Sequence, residues 1–106
     1  MIEIEPRKVV VVTRHKGMLD YLIKHNVVPK NMEVVVKTHI DDPRDIINHI
    51  VIGNIPLHLA AKAFQVWTVD MDIPPEKRGC ELTLEEMEAF GALVNRYVVF
   101  DVEDIR

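Results

Sequence analysis

Cysteine is nearly absent from this chain, and the single one, Cys80, has no partner for an internal disulfide. One cysteine cannot complete a zinc set, and the five histidines never fall at H-x-H or H-x-x-x-H spacing, so no metal site is expected. Long apolar runs are missing too. Val9 to Val12 is among the longest, far short of the roughly 20 residues a bilayer span needs, so no membrane contact is expected. The opening residues, Met1 to Lys8, alternate charge with apolar side chains and lack a secretory core, which with the lone cysteine points to the cytoplasm. A positive charge excess is lacking as well, and a net charge of −4 argues against a binder of long nucleic acid. No motif calls for a cofactor.

What is present is ordinary globular material. The 106 residues are 48% hydrophobic and 28% charged, enough to form one domain over 1–106 with its own core. Charge is unevenly spread. The first 80 residues hold 11 lysines and arginines, 10 acidic residues and all five histidines, whereas the last 26 hold 2 basic residues against 7 acidic ones. Any anion site therefore belongs to the first 80.

The run from Lys8 to Thr13 is β-branched throughout, as in a strand covered on both faces of a parallel sheet. Gly17 to Asn26 places Met18, Leu19, Leu22 and Ile23 on one helical stripe, with Asp20 and Lys24 facing out as an i, i+4 pair. Second and third strands are expected at Glu33 to Thr38 and His49 to Gly53, joined by a short segment around Pro43 that is near the minimum for a parallel crossover. Asn54 as cap and Pro56 in the first turn announce a helix carrying Leu57 to Phe64, and Gln65 to Met71 reads as a fourth strand. Asp72 to Leu82, with Pro74, Pro75 and Gly79, is the longest loop. A capping box, Thr83 with Glu86, opens a last helix from Thr83 to Arg96 whose buried face includes Leu84, Met87, Phe90 and Val94. Tyr97 to Val102 is expected as a fifth strand. This alternation specifies an α/β, Rossmann-like three-layer sandwich of about five mostly parallel strands with helices on both faces.

In such sheets ligands bind beyond the carboxyl ends of the strands. Four loops reach that edge. The first carries Thr13, Arg14, His15, Lys16 and Gly17; the second His39; the third Gly53, Asn54, Ile55, Pro56 and His58; the fourth Lys77 and Arg78. Two of these loops open into helices, whose free amides and positive dipole ends favour phosphate. Each element also has a structural reading. Arg14 and His15 could be solvated loop residues, Gly53 a turn glycine, His58 a residue packed on the sheet, and Lys77 and Arg78 surface charge. Asp70 and Asp72 could hold magnesium, cap amides or orient an arginine. Cys80 reads as a small packed residue, Trp67 as core, and His25 and His49 as structural.

The stretches Val-Val-Val-Thr-Arg-His-x-Gly at 10–17, Ile-Gly-Asn-Ile-Pro-Leu-His-Leu-Ala-Ala at 52–61 and Arg-Gly-x-Glu-Leu at 78–82, with Leu84 to Met87 beyond them, together resemble the CRISPR-associated Csx-sixteen family. The resemblance covers nearly the whole chain. It implies an accessory protein of type III CRISPR systems, a ring nuclease that cleaves cyclic oligoadenylate, chiefly cyclic tetra-adenylate, and so ends an antiviral response. A compact cyclic polyanion suits arginines and helix N-termini, and a four-fold ring suits a two-fold homodimer. On this reading the ribose 2′-hydroxyl attacks the adjacent phosphate without metal. His15 is the first choice for proton transfer, His58 is a second catalytic histidine, Arg14 stabilises charge with Lys77 or Arg78, and His39 is a further ligand group. Two other readings compete. A histidine phosphatase also places His after Arg, but there Gly follows directly where this chain has Lys16. A binding module would sequester the cyclic nucleotide uncleaved.

Overall fold

In the computed structural model, which describes residues 8–104, the valine run forms the first strand, β1 (Lys8–Val12). Val9, Val10 and Val11 are each exposed by 1% or less. Val9 and Val11 enter one apolar cluster and Val10 the opposite one, as alternation across a doubly covered strand requires. β2 (Glu33–Lys37), β3 (Ile50–Ile52) and β4 (Gln65–Asp70) join it in parallel, and β5 (Leu93–Tyr97) runs antiparallel to β4. The sheet order is β2-β1-β3-β4-β5.

Helices cover both faces. On one, α1 (Lys16–Lys24) and α3 (Leu84–Ala89) send Met18, Tyr21, Leu22 and Met87 into the cluster that holds Val9, Val11, Ile52 and Trp67. On the other, the single turn α2 (Leu57–Ala60) and the segment around Ile46 cover Val10, Val51 and Val66. Burying each of the larger side chains, such as Leu22 or Met87, contributes about 1.5–3 kcal/mol. The architecture is the expected α/β, Rossmann-like sandwich, with fewer helical turns than the sequence suggests. The short β2–β3 crossover is a 3-10 turn, Pro43–Asp45, which Asp42 caps by accepting from the Arg44 amide.

Several local expectations are corrected. The last helix stops at Ala89, not Arg96. Gly91 adopts φ +73°, the Gly91 amide donates to Glu88 O and the Ala92 amide to Met87 O, the hydrogen-bond pair of a glycine-terminated helix end. The fifth strand therefore begins at Leu93 and takes in Val94. Val98 to Asp101, expected within it, lies outside any regular element. The second helix spans four residues in place of eight, and Pro56, not Asn54, occupies its cap position with extended dihedrals. On α1 the buried stripe is rotated. Tyr21 is inside, its hydroxyl donating to Ala92 O at 2.9 Å, while Ile23 is 61% exposed. Lys24 pairs with Glu88 of α3 at 2.9 Å in place of the expected Asp20. Among the described residues no helix is long and apolar enough to cross a membrane.

Candidate functional site

A sheet of order 2-1-3-4-5 opens a crevice where the loops after β1 and β3 diverge to opposite faces. A cavity of about 1000 Å³ lies there, walled by the turn Thr13, Arg14 and His15, by Thr38, His39 and Ile40 after β2, by Gly53 to Pro56 after β3, and by Asp70, Met71, Ile73, Lys77 and Gly79 to Glu81 at and beyond the end of β4. Buried Met18, Leu59 and Val69 give it an apolar floor.

Backbone approach shapes the two central turns. Gly53 has φ +142°, and a Cβ there would stand 2.2 Å from Val12 O, so no other residue lets the end of β3 lie against the end of β1. Its amide donates to Trp67 O at 2.8 Å. Thr13 accepts the His15 amide on Oγ1 at 3.0 Å, which bends the chain away from β1 and turns Arg14 outward. Among the described residues Arg14 makes no ion pair, so its guanidinium is uncompensated at the cavity mouth.

His15 is held across the molecule. Its Nδ1 accepts from the Leu82 amide at 3.2 Å, and the Gly17 amide donates to Leu82 O at 3.3 Å, so the first and third sequence motifs form one joint. With Nδ1 an acceptor, the neutral ring carries its proton on Nε2. It offers a hydrogen-bond donor, not a free base. His39 is engaged at both nitrogens, with Thr38 Oγ1 at 3.1 Å and Asp41 Oδ1 at 2.9 Å. Lys77 reaches the cavity but binds Glu86 at 3.0 Å. That contact raises the Lys77 ammonium above its usual value and, with the Thr83 amide second, holds the Glu86 carboxyl below its own.

Of the residues expected at the site, Thr13, Arg14, His15, His39, Gly53, Asn54, Ile55, Pro56 and Lys77 line the cavity. Lys16, Gly17, His58 and Arg78 do not. Gly17 serves packing, since a Cβ there would meet Leu84 N and Thr83 C at 2.6 Å. His58 is exposed on α2 rather than packed against the sheet. The amides expected to be free for phosphate are mostly used within the fold: His15 N on Thr13, Gly17 N on Leu82 and Met18 N on His15 O, while α2 is too short for a dipole of consequence. Attraction for an anion rests on side chains.

Three ionisable wall residues fall outside those expected at the site. Cys80 is exposed on the cavity wall, not packed, and Glu81 stands beside it. Asp70, set aside as a magnesium ligand or amide cap, is instead bonded to Thr68 and Asn95. Its position at the end of β4 was the available signal. Among the described residues no three His, Cys, Asp or Glu side chains converge as metal ligands would. A family model described as "Putative CRISPR-associated protein (Cas_VVA1548)" matches residues 10–100, a span that includes the whole cavity wall. No curated protein and no solved structure matches the chain.

Proposed function

We propose, from the premise that the chain belongs to this CRISPR-associated family, that it is a type III accessory ring nuclease that binds and cleaves cyclic oligoadenylate, chiefly cyclic tetra-adenylate. One observation carries the reading: the motifs at 10–17 and 52–61, separate in sequence, meet in one cavity at the β1/β3 crevice and bring an uncompensated arginine to it. An arginine there suits a phosphodiester, which accepts two parallel hydrogen bonds from a guanidinium. The apolar floor suits the faces of the bases.

Cleavage proceeds by in-line attack of a ribose 2′-hydroxyl on its own 3′-phosphate, which leaves a 2′,3′-cyclic phosphate and a 5′-hydroxyl. Arg14 and the Nε2–H of His15 stabilise the charge that builds on the phosphoryl oxygens, and the cavity holds the nucleophile in line. His39 and Lys77 lie at the rim, where Lys77 can shift from Glu86 toward a bound phosphate. Two protomers pair with their strand ends around one ring. Leu57 and Leu93, 75% and 63% exposed and adjoining the cavity residues Pro56 and Asp70, supply apolar surface that pairing would cover.

The test is incubation with cyclic tetra-adenylate in EDTA, with products followed by chromatography and mass detection. Linear products ending in 2′,3′-cyclic phosphate are expected, together with a dimer by light scattering. Tight binding of an intact ring would establish the sequestering module instead. An intact ring with no binding would overturn both.

A further inference from the structure

We propose that Asp70 is a catalytic residue of this cavity, the carboxylate that takes the proton from the attacking 2′-hydroxyl. The inference rests on the ring-nuclease reading and supplies the base which that reading lacks, because His15 is committed to donating from Nε2 and His39 is engaged at both nitrogens.

Asp70 ends β4 and lines the cavity. Both hydrogen bonds it receives fall on one oxygen: Oδ2 accepts from the Thr68 hydroxyl at 2.9 Å and from the Asn95 amide at 2.6 Å. Among the described residues Oδ1 accepts none, and the carboxylate enters no ion pair. The group is thus oriented by two neutral donors on one side while its charge and its second oxygen stay uncompensated. A fixed carboxylate is an unfavourable wall for a phosphodiester unless a proton donor of the ligand meets it, and the donor adjacent to the scissile phosphate is the 2′-hydroxyl. β4 and β1 are the two neighbours of β3, so Asp70 and Arg14 flank the Gly53 turn. The strand ends that carry them lie two spacings apart, about 10 Å. That span lets Arg14 hold a phosphate while Asp70 faces the sugar that attacks it.

The step balances without a metal or co-reactant other than water. Oδ1 accepts the 2′-hydroxyl proton as the O2′–P bond forms and the P–O5′ bond breaks. The departing O5′ takes a proton from water, and Asp70 returns its own to the hydroxide left behind. A positioned base of this kind accounts for roughly 10²- to 10⁴-fold in rate.

Single-turnover cleavage of cyclic tetra-adenylate and its affinity, measured side by side for wild type, Asp70→Asn and Asn95→Ala, test the assignment. Asp70→Asn is expected to lose at least about 100-fold in rate while still binding the ring. Asn95→Ala, which keeps the carboxylate but removes one of its two anchors, is expected to lose about 10-fold in rate with affinity unchanged. Wild-type rate in Asp70→Asn would overturn the proposal and leave the ring-nuclease reading standing. So would weakened affinity with an unchanged rate for the bound ring, which would make Asp70 a recognition group. If Asp70→Asn fails to fold, wild-type rate in Asn95→Ala would overturn it. A wild-type protein that leaves the ring intact removes the ring-nuclease reading itself, and this assignment with it.

Discussion

Replacing Gly17 with alanine tests whether the joint between α1 and the start of α3 is as tight as its geometry. The added Cβ would stand 2.6 Å from Leu84 N, 2.6 Å from Thr83 C and 2.9 Å from Leu82 O, all backbone atoms that cannot swing aside as a side chain would. Overpacking of this kind costs about 1–3 kcal/mol. Pushing the segments apart also strains two hydrogen bonds, Gly17 N to Leu82 O and Leu82 N to His15 Nδ1, each worth about 0.5–1.5 kcal/mol. Against these stands the better helix propensity of alanine, about 1 kcal/mol. The net expectation is a loss of about 2–3 kcal/mol, which a domain of ordinary stability, about 5–15 kcal/mol, survives. Trp67 is the sole tryptophan and is buried in the sheet, so its fluorescence during urea unfolding reports the change directly. A loss below about 1 kcal/mol, or a gain, would refute the argument and show that helix propensity outweighs the contact.

Gly53→Ala should be more severe, because it combines φ +142° with a 2.2 Å approach to Val12 O, and little folded protein is expected in the same assay. Arg14→Ala should weaken binding of cyclic tetra-adenylate by about 10- to 100-fold, with Arg14→Lys recovering only part of it, measured by calorimetry. The Glu86 carboxyl is held below its ordinary value near 4.5, so its contact with Lys77 stabilises the fold above that pH and the contribution disappears as pH falls through the folded value. The difference in urea stability between wild type and Glu86→Gln should therefore shrink from pH 6 to pH 3, and a difference independent of pH would contradict this.

The elements legible in the sequence were those specified by local chemistry. Four successive β-branched valines favour a strand covered on both faces, which forms, and the capping box at Thr83 and Glu86 occurs as expected, with each side chain bonded to the other residue's backbone. The rule that ligands meet the strand ends located the cavity, and nine residues expected there line it. What was not legible depends on contacts distant in sequence or on one backbone angle. Gly91 ends α3 at Ala89, seven residues before the expected Arg96, because φ +73° and two carbonyl bonds outweigh the periodicity of Val94. Tyr21 displaces Ile23 from the core because its hydroxyl finds Ala92 O, 71 residues away. The tautomer of His15 depends on Leu82, and the orientation of Asp70 on Asn95 across the β4–β5 pair.

The antiparallel β5 has a practical consequence for handling the molecule. It starts with Leu93 beside Asp70, at the cavity end of β4, and finishes with Tyr97 beside Val66, at the other end, where β1 also begins with Lys8. The chain thus enters and leaves its sheet on the side away from the cavity, and every residue of the cavity wall belongs to an internal turn or element. A label placed at Lys8 or Tyr97, the two ends of the sheet's path, therefore sits at the end of the sheet opposite the cavity mouth.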